Sequence, residues 1–438
     1  MPKIFALLLA LTALLGPLTA PQASPPLFPP PAGVSVTDHG VDGVSDLDRL
    51  VAEALASNPQ LDADQARWQA YSERVRQAGT LEDPMLMLQF QNLLIRDPLA
   101  FDRDFTSAKV IGISQMVPFF GKRELRREAA RHDAEAARLE VEERILELSG
   151  LVKETWYQLL FVDRALEIVA RNIAVLDDLS AQSTSIYEVG RGLLQDVLKA
   201  QVERAKMEEM EIFLQQRRRS LEVALNTLRS RSVDTPINPA APLELTPLAL
   251  TGAQLEERAA GRPLFQQLAA REQKAAAQRR LAERDFYPDF TFSLEYMQRE
   301  PAMGDPGNDM YTAGITFNLP IRRDQRHARA AEAEAEIRQA RAEQERARNQ
   351  VSRGIGEALS QLDSSRRLAE LYQGDIIPRA EHAAGAALAA YHSGTTDFMN
   401  VLDSQMALFN FQREELEAIA RHQTQLAVLE TVVGETLP

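Results

Sequence analysis

The chain has 438 residues, 26% of them charged, and its 63 acidic residues outnumber its 49 lysines and arginines, which gives a formal net charge of −14. This acidic balance disfavours nucleic-acid partners, because contacts with phosphates need a basic face. The absence of cysteine excludes disulfide scaffolds, cysteine zinc sites, thiol nucleophiles and a lipidated N-terminal cysteine.

The first residues have the layout of a secretory signal peptide. Lys3 precedes an uncharged stretch from Ile4 to Ala20, so we expect export, with a signal peptide at 1–23 and a Pro-rich segment at 24–44. No later window holds 18 consecutive apolar residues, so the sequence predicts no transmembrane helix in the mature chain. A periplasmic protein, a secreted protein and a membrane β-barrel all remain open.

Two long stretches without proline predict long helices. The first lies between Phe119 and Thr235 and the second runs from Ile321 to Ile377. In the second stretch, small and branched apolar residues recur at spacings of three and four, which is typical of a coiled-coil seam. The seam positions are Ala330, Ala333, Ile337, Ala340, Ala347, Val351, Ile355, Ala358 and Leu362.

The chain repeats itself at a fixed offset of 204 positions. The matching pairs are Pro59 and Pro263, Pro84 and Pro288, Tyr187 and Tyr391, Gly190 and Gly394, Val197-Leu198 and Val401-Leu402, and Gln201 and Gln405. We therefore expect two copies of one unit, 45–231 and 253–438, joined by a linker at 232–252. Each unit is predicted to run as a helix, a strand pair, a very long helix, a glycine turn near 190 or 394, and a returning helix.

Alternating apolar and polar residues predict two strands in each copy, at about 84–92 and 109–118 and at about 289–299 and 310–319. In the second copy, one face of the strands is apolar and is expected to meet lipid. That face carries Phe290, Phe292, Leu294, Ile315 and Phe317. Two soluble hairpins packed on a core remain the alternative. Because the smallest membrane barrels have about eight strands, four strands in a membrane require several chains in one barrel.

Several motifs together resemble one family across essentially the whole mature chain. They read NPQLDADQARWQAYSERVRQAG, SQMVPFFGKRELRREAA, YEVGRGLLQDVLKAQ, YPDFTFSLEYMQ, TAGITFNLPI and AAYHSGTTDFMNVLDSQ. The chain resembles the outer-membrane efflux proteins, the TolC-like exit ducts of tripartite pumps and type I secretion systems. The resemblance implies a mainly α fold with a β-barrel part. Duplicated helix, β-hairpin and long coiled-coil helix-hairpin units would trimerise into a 12-strand outer-membrane β-barrel and a periplasmic α-helical barrel.

The resemblance also implies a function and partners. It implies a homotrimeric passive exit duct in the outer membrane, extending into the periplasm, that moves metal ions or small toxic compounds to the outside. Its implied partners are outer-membrane lipid, a periplasmic adaptor (membrane fusion protein) and an inner-membrane pump of the resistance-nodulation-division type. The PFFGKR segment is most similar to the heavy-metal branch. A type I secretion duct and a periplasmic coiled-coil adaptor remain the alternatives, and the cargo remains open.

Site residues are carried over from the family position by position. The glycine turns match the periplasmic helical tips that contact the adaptor, at Gly190, Gly192 and Gly394. The residues that match the periplasmic gate are Asp403, Asn400, Tyr391, Thr396 and Asp196. Thr396 and Asn400 stand where a well-studied member of the family carries a gate arginine and a further aspartate, so we expect no arginine-centred lock and a less acidic constriction.

Other chemistry-bearing residues form no recognised catalytic motif, so we predict no enzyme, no cofactor and no metal site. The six histidines, which never have ligand spacing, are interpreted as surface residues: His39, His132, His327, His382, His392 and His422. Six methionines gather near the strands, where they either pack or offer thioethers to Cu(I): Met85, Met87, Met116, Met297, Met303 and Met310. The Gly121-Lys122-Arg123 segment is interpreted as a membrane-interface charge or a solvated helix start.

Overall fold

The computed structural model describes residues 46–97, 100–239 and 241–437. The predicted signal peptide at 1–23, the Pro-rich segment at 24–44 and His39 lie outside the described residues. In chain order the elements are α1 (Asp46–Ser57), α2 (Pro59–Ala78), β1 (Met85–Gln91), β2 (Ala108–Val117), α3 (Lys122–Glu188), α4 (Leu194–Leu228), α5 (Gly252–Ala259), α6 (Pro263–Arg284), β3 (Phe290–Arg299), β4 (Met310–Phe317), α7 (Arg323–Leu371), a π-helical turn (Tyr372–Ile376), α8 (Ile377–His392) and α9 (Phe398–Val433). Within these residues, no helix is both long and apolar enough to cross a membrane.

The first long helix is confirmed as one continuous element. Helix α3 has 67 residues, which corresponds to about 100 Å at 1.5 Å per residue. It buries residues at helical spacing, including Leu148, Val152 and Trp156. These side chains belong to a hydrophobic cluster shared with α1, α4 and α9. Helix α3 is therefore the element on which the helices of both copies pack.

The second long helix is interrupted by the π-helical turn, whereas the sequence predicted one continuous helix. Pro378 lacks an N–H group, so it removes the usual helical hydrogen bond to the residue four positions earlier. The helix accommodates Pro378 by forming the π-helical turn, in which the Ile377 N–H donates to the Tyr372 carbonyl, five residues earlier. In the first copy the equivalent position is Ala174, and α3 continues without a break. The predicted seam on α7 is buried at every position except Ala330, which is half-buried.

Local signals explain where the shorter helices begin. Pro59 and Pro263 occupy the first turns of α2 and α6, where the missing N–H has no helical partner to lose. The Asn58 side chain accepts a hydrogen bond from the Gln60 N–H at 2.9 Å and so caps α2. Thr251 and Gln254 form a reciprocal capping box at the start of α5.

The strands of both copies form a single antiparallel sheet in the order β1-β2-β3-β4. Its central pair joins the copies, because β2 pairs with β3 from Ala108 opposite Arg299 to Val117 opposite Phe290. Strands β1 and β4 therefore lie at the two edges. Strands β1, β3 and β4 are slightly shorter than the ranges expected from the alternating pattern, and β2 has the expected length but begins and ends one residue earlier.

The helix–sheet junction corrects the interpretation of the Gly121-Lys122-Arg123 segment. The Lys122 side chain is only 3% exposed, and its ammonium group lies 2.9 Å from Asp289 and 3.4 Å from Asp285. It also donates to the Tyr287 carbonyl at 3.2 Å. Arg123 donates to the Gly79 carbonyl through two nitrogens, at 3.0 and 2.7 Å. These contacts fix the start of α3 to the segment between α6 and β3 and to the end of α2, so the charges are neither a solvated helix start nor a free membrane-interface charge.

One histidine also contradicts the surface interpretation. His422 is 2% exposed on α9. Its Nε2 lies 2.9 Å from the Thr246 carbonyl and its Nδ1 lies 3.2 Å from the Leu362 carbonyl. Gln423 donates to the Thr246 hydroxyl at 2.8 Å. The predicted linker is therefore held against α7 and α9 by buried polar contacts, which the spacing of histidines could not reveal.

Candidate functional site

The two glycine turns have the same geometry. Gly190 and Gly394 both have φ of 72°, a left-handed conformation that favours glycine. The Gly190 N–H donates to the Tyr187 carbonyl at 2.9 Å, and the Gly394 N–H donates to the Tyr391 carbonyl at 3.0 Å. A Cβ at Gly192 would lie 3.1 Å from the Tyr187 backbone nitrogen, a tight contact, although the second turn carries Thr396 at the equivalent position.

The side chains around the two turns differ in polarity. Near the first turn, Val189 is 69% exposed and Leu193 is 65% exposed. The equivalent residues of the second turn are Ser393 and Asp397, which are also exposed. Asp397 caps α9 by accepting a hydrogen bond from the Asn400 N–H at 3.0 Å. The first tip thus exposes an apolar surface, whereas the second tip exposes hydroxyl groups and a carboxylate.

The structure brings Tyr391 and Asp196, from different copies, close together. Burial, followed by the negative charge of Asp196, raises the pKa of the Tyr391 phenol above its ordinary value. The Tyr391 ring also packs edge-on against Phe398, with 5.6 Å between ring centroids. Tyr391 therefore joins the two helical hairpins directly beside their tips.

Two of the other predicted gate residues, Asn400 and Asp403, lie on the first two turns of α9, and Thr396 lies just before that helix. The Asn400 side chain donates to the Thr396 hydroxyl at 2.8 Å, which ties together the two positions where the family's charged residues are replaced. Asp403 is exposed, and no described residue forms a hydrogen bond or an ion pair with it. Its equivalent in the first copy is Lys199, which pairs with Glu203 at 3.6 Å. Lys199 was not among the predicted site residues, although the 204-residue offset relates it to Asp403.

One face of the sheet is predominantly apolar on all four strands, with Lys109, Gln115 and Gln298 as polar members. The register places Leu294 of β3 between Ile113 of β2 and Ala313 of β4. The large apolar side chains that are exposed on this face are Leu86, Leu88, Phe90, Ile113, Phe292, Leu294, Tyr311, Ile315 and Phe317. Phe290 is half-buried on the same face, where its ring lies 6.5 Å from that of Phe317. An apolar surface of this kind is rarely left in water.

The opposite face is mainly polar, but it carries the strand methionines and the buried Val110. The register places Ser293 between Ser114 and Gly314, and Glu295 between Gly112 and Thr312. All five methionines of the strands lie on this face: Met85, Met87, Met116, Met297 and Met310. In the part of the chain that the structure describes, no group of three or more His, Cys, Asp or Glu residues could hold a metal ion.

Comparisons with known proteins agree on this architecture. The cobalt-zinc-cadmium resistance protein CzcC of Cupriavidus metallidurans is 25% identical over 93% of this chain and 92% of its own length. The fold is similar to that of the outer membrane protein VceC from Vibrio cholerae, with a TM-score of 0.76 at 21% identity over 90% of this chain and 97% of VceC. It is also similar to the open state of the Neisseria gonorrhoeae MtrE outer membrane channel, with a TM-score of 0.74 at 16% identity over 89% of each chain.

Family membership rests on the match to a family's sequence model. The family described as "Outer membrane efflux protein" matches residues 50–230 and 255–435, which are nearly the whole of both repeats. The two matched segments contain the sheet, the long helices and both glycine turns described above. The chain therefore belongs to the outer membrane efflux protein family.

Proposed function

We propose that three copies of this chain close one outer-membrane β-barrel and form the passive exit channel of a tripartite efflux pump. The observation that carries the proposal is the open four-stranded sheet with one exposed apolar face. In lipid, the unpaired backbone groups of the edge strands β1 and β4 would each cost several kcal/mol. Pairing β1 of one copy with β4 of the next removes both edges, and three copies supply the 12 strands that the family resemblance implies.

The helices support a conduit that continues beyond the membrane. At about 100 Å, α3 is several times longer than a hydrocarbon core of about 30 Å. Exposed apolar residues lie along α4, at Leu194, Leu198, Val202, Ile212 and Phe213. Neighbouring copies would bury this surface in a helical barrel. The apolar first tip would then meet a periplasmic adaptor, which connects the channel to a resistance-nodulation-division pump in the inner membrane.

We propose divalent metal ions as the cargo class, because the similarity to CzcC extends over nearly the whole of both chains. Deleting the gene should sensitise cells to cobalt, zinc and cadmium, and expressing this chain should restore tolerance. Leu294→Arg, on the apolar face, should fail to restore it, whereas Ser293→Thr, on the polar face, should restore it. Unchanged metal tolerance in the deletion strain would contradict the metal cargo, and the absence of conductance in planar bilayers would contradict the channel itself.

We further propose that Asp403 forms an electrostatic gate at the periplasmic end. Asp403 is exposed and unpaired within the described chain, and threefold symmetry would place three such carboxylates around one axis. A ring of carboxylates attracts cations and repels anions. The replacement of charged family residues by Thr396 and Asn400 leaves Asp403, with Asp196 behind Tyr391, as the principal charge of the constriction.

Single-channel recordings test the gate. Asp403→Asn should lower the preference for cations over anions and weaken block by trivalent cations. Glu357→Gln removes another exposed carboxylate, on α7, and should leave both properties unchanged. If Asp196→Asn alters them and Asp403→Asn does not, the gate belongs to the first copy. If neither variant differs from the unmodified channel, the tips form no electrostatic gate.

A further inference from the structure

We infer that Glu295 is a specificity-determining residue, which gives the interior of the β-barrel a preference for cations over anions. This inference rests on the proposed function, because closure of the barrel by three copies with the apolar face towards lipid makes the polar face line the lumen. It concerns a different part of the chain from the proposed gate at Asp403, and the ion preference should remain when Asp403 is replaced.

Glu295 carries the only strand charge that has no partner among the described residues. The four strands contain three charged residues, namely Lys109, Glu295 and Arg299. Lys109 pairs with Glu300 at 2.7 Å, and Arg299 pairs with Asp305 at 3.3 Å. No described residue forms a hydrogen bond or an ion pair with Glu295, so its negative charge is not offset within that part of the chain.

Glu295 lies among neutral residues on the polar face. Its cross-strand row runs from Met87 through Gly112 and Glu295 to Thr312. The other charged residue on this face of the strands is Arg299, four residues along β3 and therefore about 13 Å away at 3.3 Å per residue. Glu295 is the sixth of the ten residues of β3, so its charge lies near the middle of the expected membrane span.

Gly112 allows the Glu295 side chain to lie along the wall. A Cβ at Gly112 would lie 2.9 Å from Glu295 Cγ, closer than such atoms normally approach. The side chain therefore occupies the space above Gly112, on the side of β2, and it is half-buried there. A carboxylate held against the wall leaves the centre of the lumen open, so it acts on passing ions through its electric field and not as a ligand.

The dimensions of the barrel decide how far this field reaches. Twelve strands spaced about 4.8 Å apart and tilted by about 45° close a barrel with a radius of about 13 Å, which places the carboxylates about 10 Å from the axis. The Debye length is about 10 Å in 0.1 M salt and about 3 Å in 1 M salt. Three Glu295 carboxylates should therefore attract cations and repel anions across the lumen at the lower salt concentration, whereas the higher concentration should screen them.

Reversal potentials of single channels in planar bilayers measure the preference. Glu295→Gln removes the charge with almost no change in volume, and the ratio of potassium to chloride permeability should fall about twofold or more in about 0.1 M KCl. Glu295→Lys should shift the preference towards anions. In about 1 M KCl the three channels should differ little. Glu295→Gln should have a similar effect in an Asp403→Asn channel, because the length of α3 separates the sheet from the tips.

A relocated carboxylate distinguishes an electrostatic role from a structural one. Thr312 lies directly opposite Glu295 on β4, in the same row, and it is exposed. The double variant Glu295→Gln with Thr312→Glu moves the charge by one strand, about 4.8 Å, and should restore the cation preference. The matched control, Glu295→Gln with Thr312→Gln, introduces a side chain of similar size without a charge and should not restore it.

An unchanged permeability ratio in Glu295→Gln channels at the lower salt concentration would overturn the inference, as would a lowered ratio that Thr312→Glu fails to restore. The conductance itself tests the proposed function separately. A conducting channel whose ion preference does not depend on residue 295 overturns the role of Glu295 alone, whereas a protein that never conducts overturns the channel and this inference with it.

Discussion

Placing an arginine on each face of β3 tests the assignment of the sheet faces. Leu294 is the fifth of the ten residues of β3 and is 53% exposed between Ile113 and Ala313. It therefore lies near the middle of the expected membrane span. Arginine on the lipid face near the midplane destabilises a barrel by about 2–4 kcal/mol, so Leu294→Arg should lower the free energy of unfolding by that amount.

Two comparison variants differ from Leu294→Arg either in the sheet face or in the depth within the membrane. Ser293→Arg points to the other face, where Ser114 and Gly314 leave room, and should cost at most about 1 kcal/mol. Phe290 lies four residues from Leu294, about 13 Å along the strand at 3.3 Å per residue. With a strand tilt of about 45° this is about 9 Å along the membrane normal, in the outer part of an apolar band of about 25 Å, so the charge of Phe290→Arg should cost less than that of Leu294→Arg, about 1–2 kcal/mol.

Guanidinium titration in phospholipid vesicles, followed by the change from folded to unfolded gel mobility, measures these differences. The expected order of destabilisation is Leu294→Arg first, Phe290→Arg second and Ser293→Arg last. Equal losses for Leu294→Arg and Ser293→Arg would show that the sheet has no lipid-facing side. A larger loss for Ser293→Arg would show that the faces are reversed.

Two further predictions concern the junction and the tips. Lys122→Met leaves the carboxylates of Asp285 and Asp289 without their cation and should cost about 3 kcal/mol, the lower end for a buried pair, because water still reaches both aspartates. Thermal unfolding should show a much smaller change for Arg348→Met, which breaks an exposed ion pair, and equal shifts would refute the role of the junction. The Cβ added by Gly394→Ala meets open space, but the residue keeps φ of 72°, so this variant should destabilise the protein by about 1 kcal/mol. Gly385→Ala, in open space within α8, should instead stabilise the protein by about 0.5–1 kcal/mol. Stabilisation by both variants would contradict the strained turn.

The features that depend on local sequence were predictable. The matched glycines at 190 and 394 have the same φ and the same hydrogen bonds, because a left-handed turn after a helix requires glycine in both copies. The alternating pattern of β3 and β4 placed Phe292 and Ile315 on one face, since the two-residue period of a strand determines facing within each hairpin. The seam of α7 followed from helical periodicity in the same way.

The features that depend on pairing between distant segments were not predictable. Periodicity assigns Met87 to one face of β1 and Met297 to one face of β3, but only the β2–β3 register shows that these faces are the same. Lys122 has the sequence context of a surface residue, and its burial depends on Asp289, which lies 167 positions away. The π-helical turn before Pro378 had a visible local cause, and it was missed because the interval was treated as uniform helix.

The oligomeric state of the detergent-extracted protein tests the central claim most directly. Native mass spectrometry of the intact protein should show a single assembly of three chains, because only neighbouring copies can pair the edges of β1 and β4. Hydrogen exchange on the same sample reports whether those edge amides are protected. A monodisperse single chain whose β1 and β4 amides are fully protected would contradict a barrel shared by three copies.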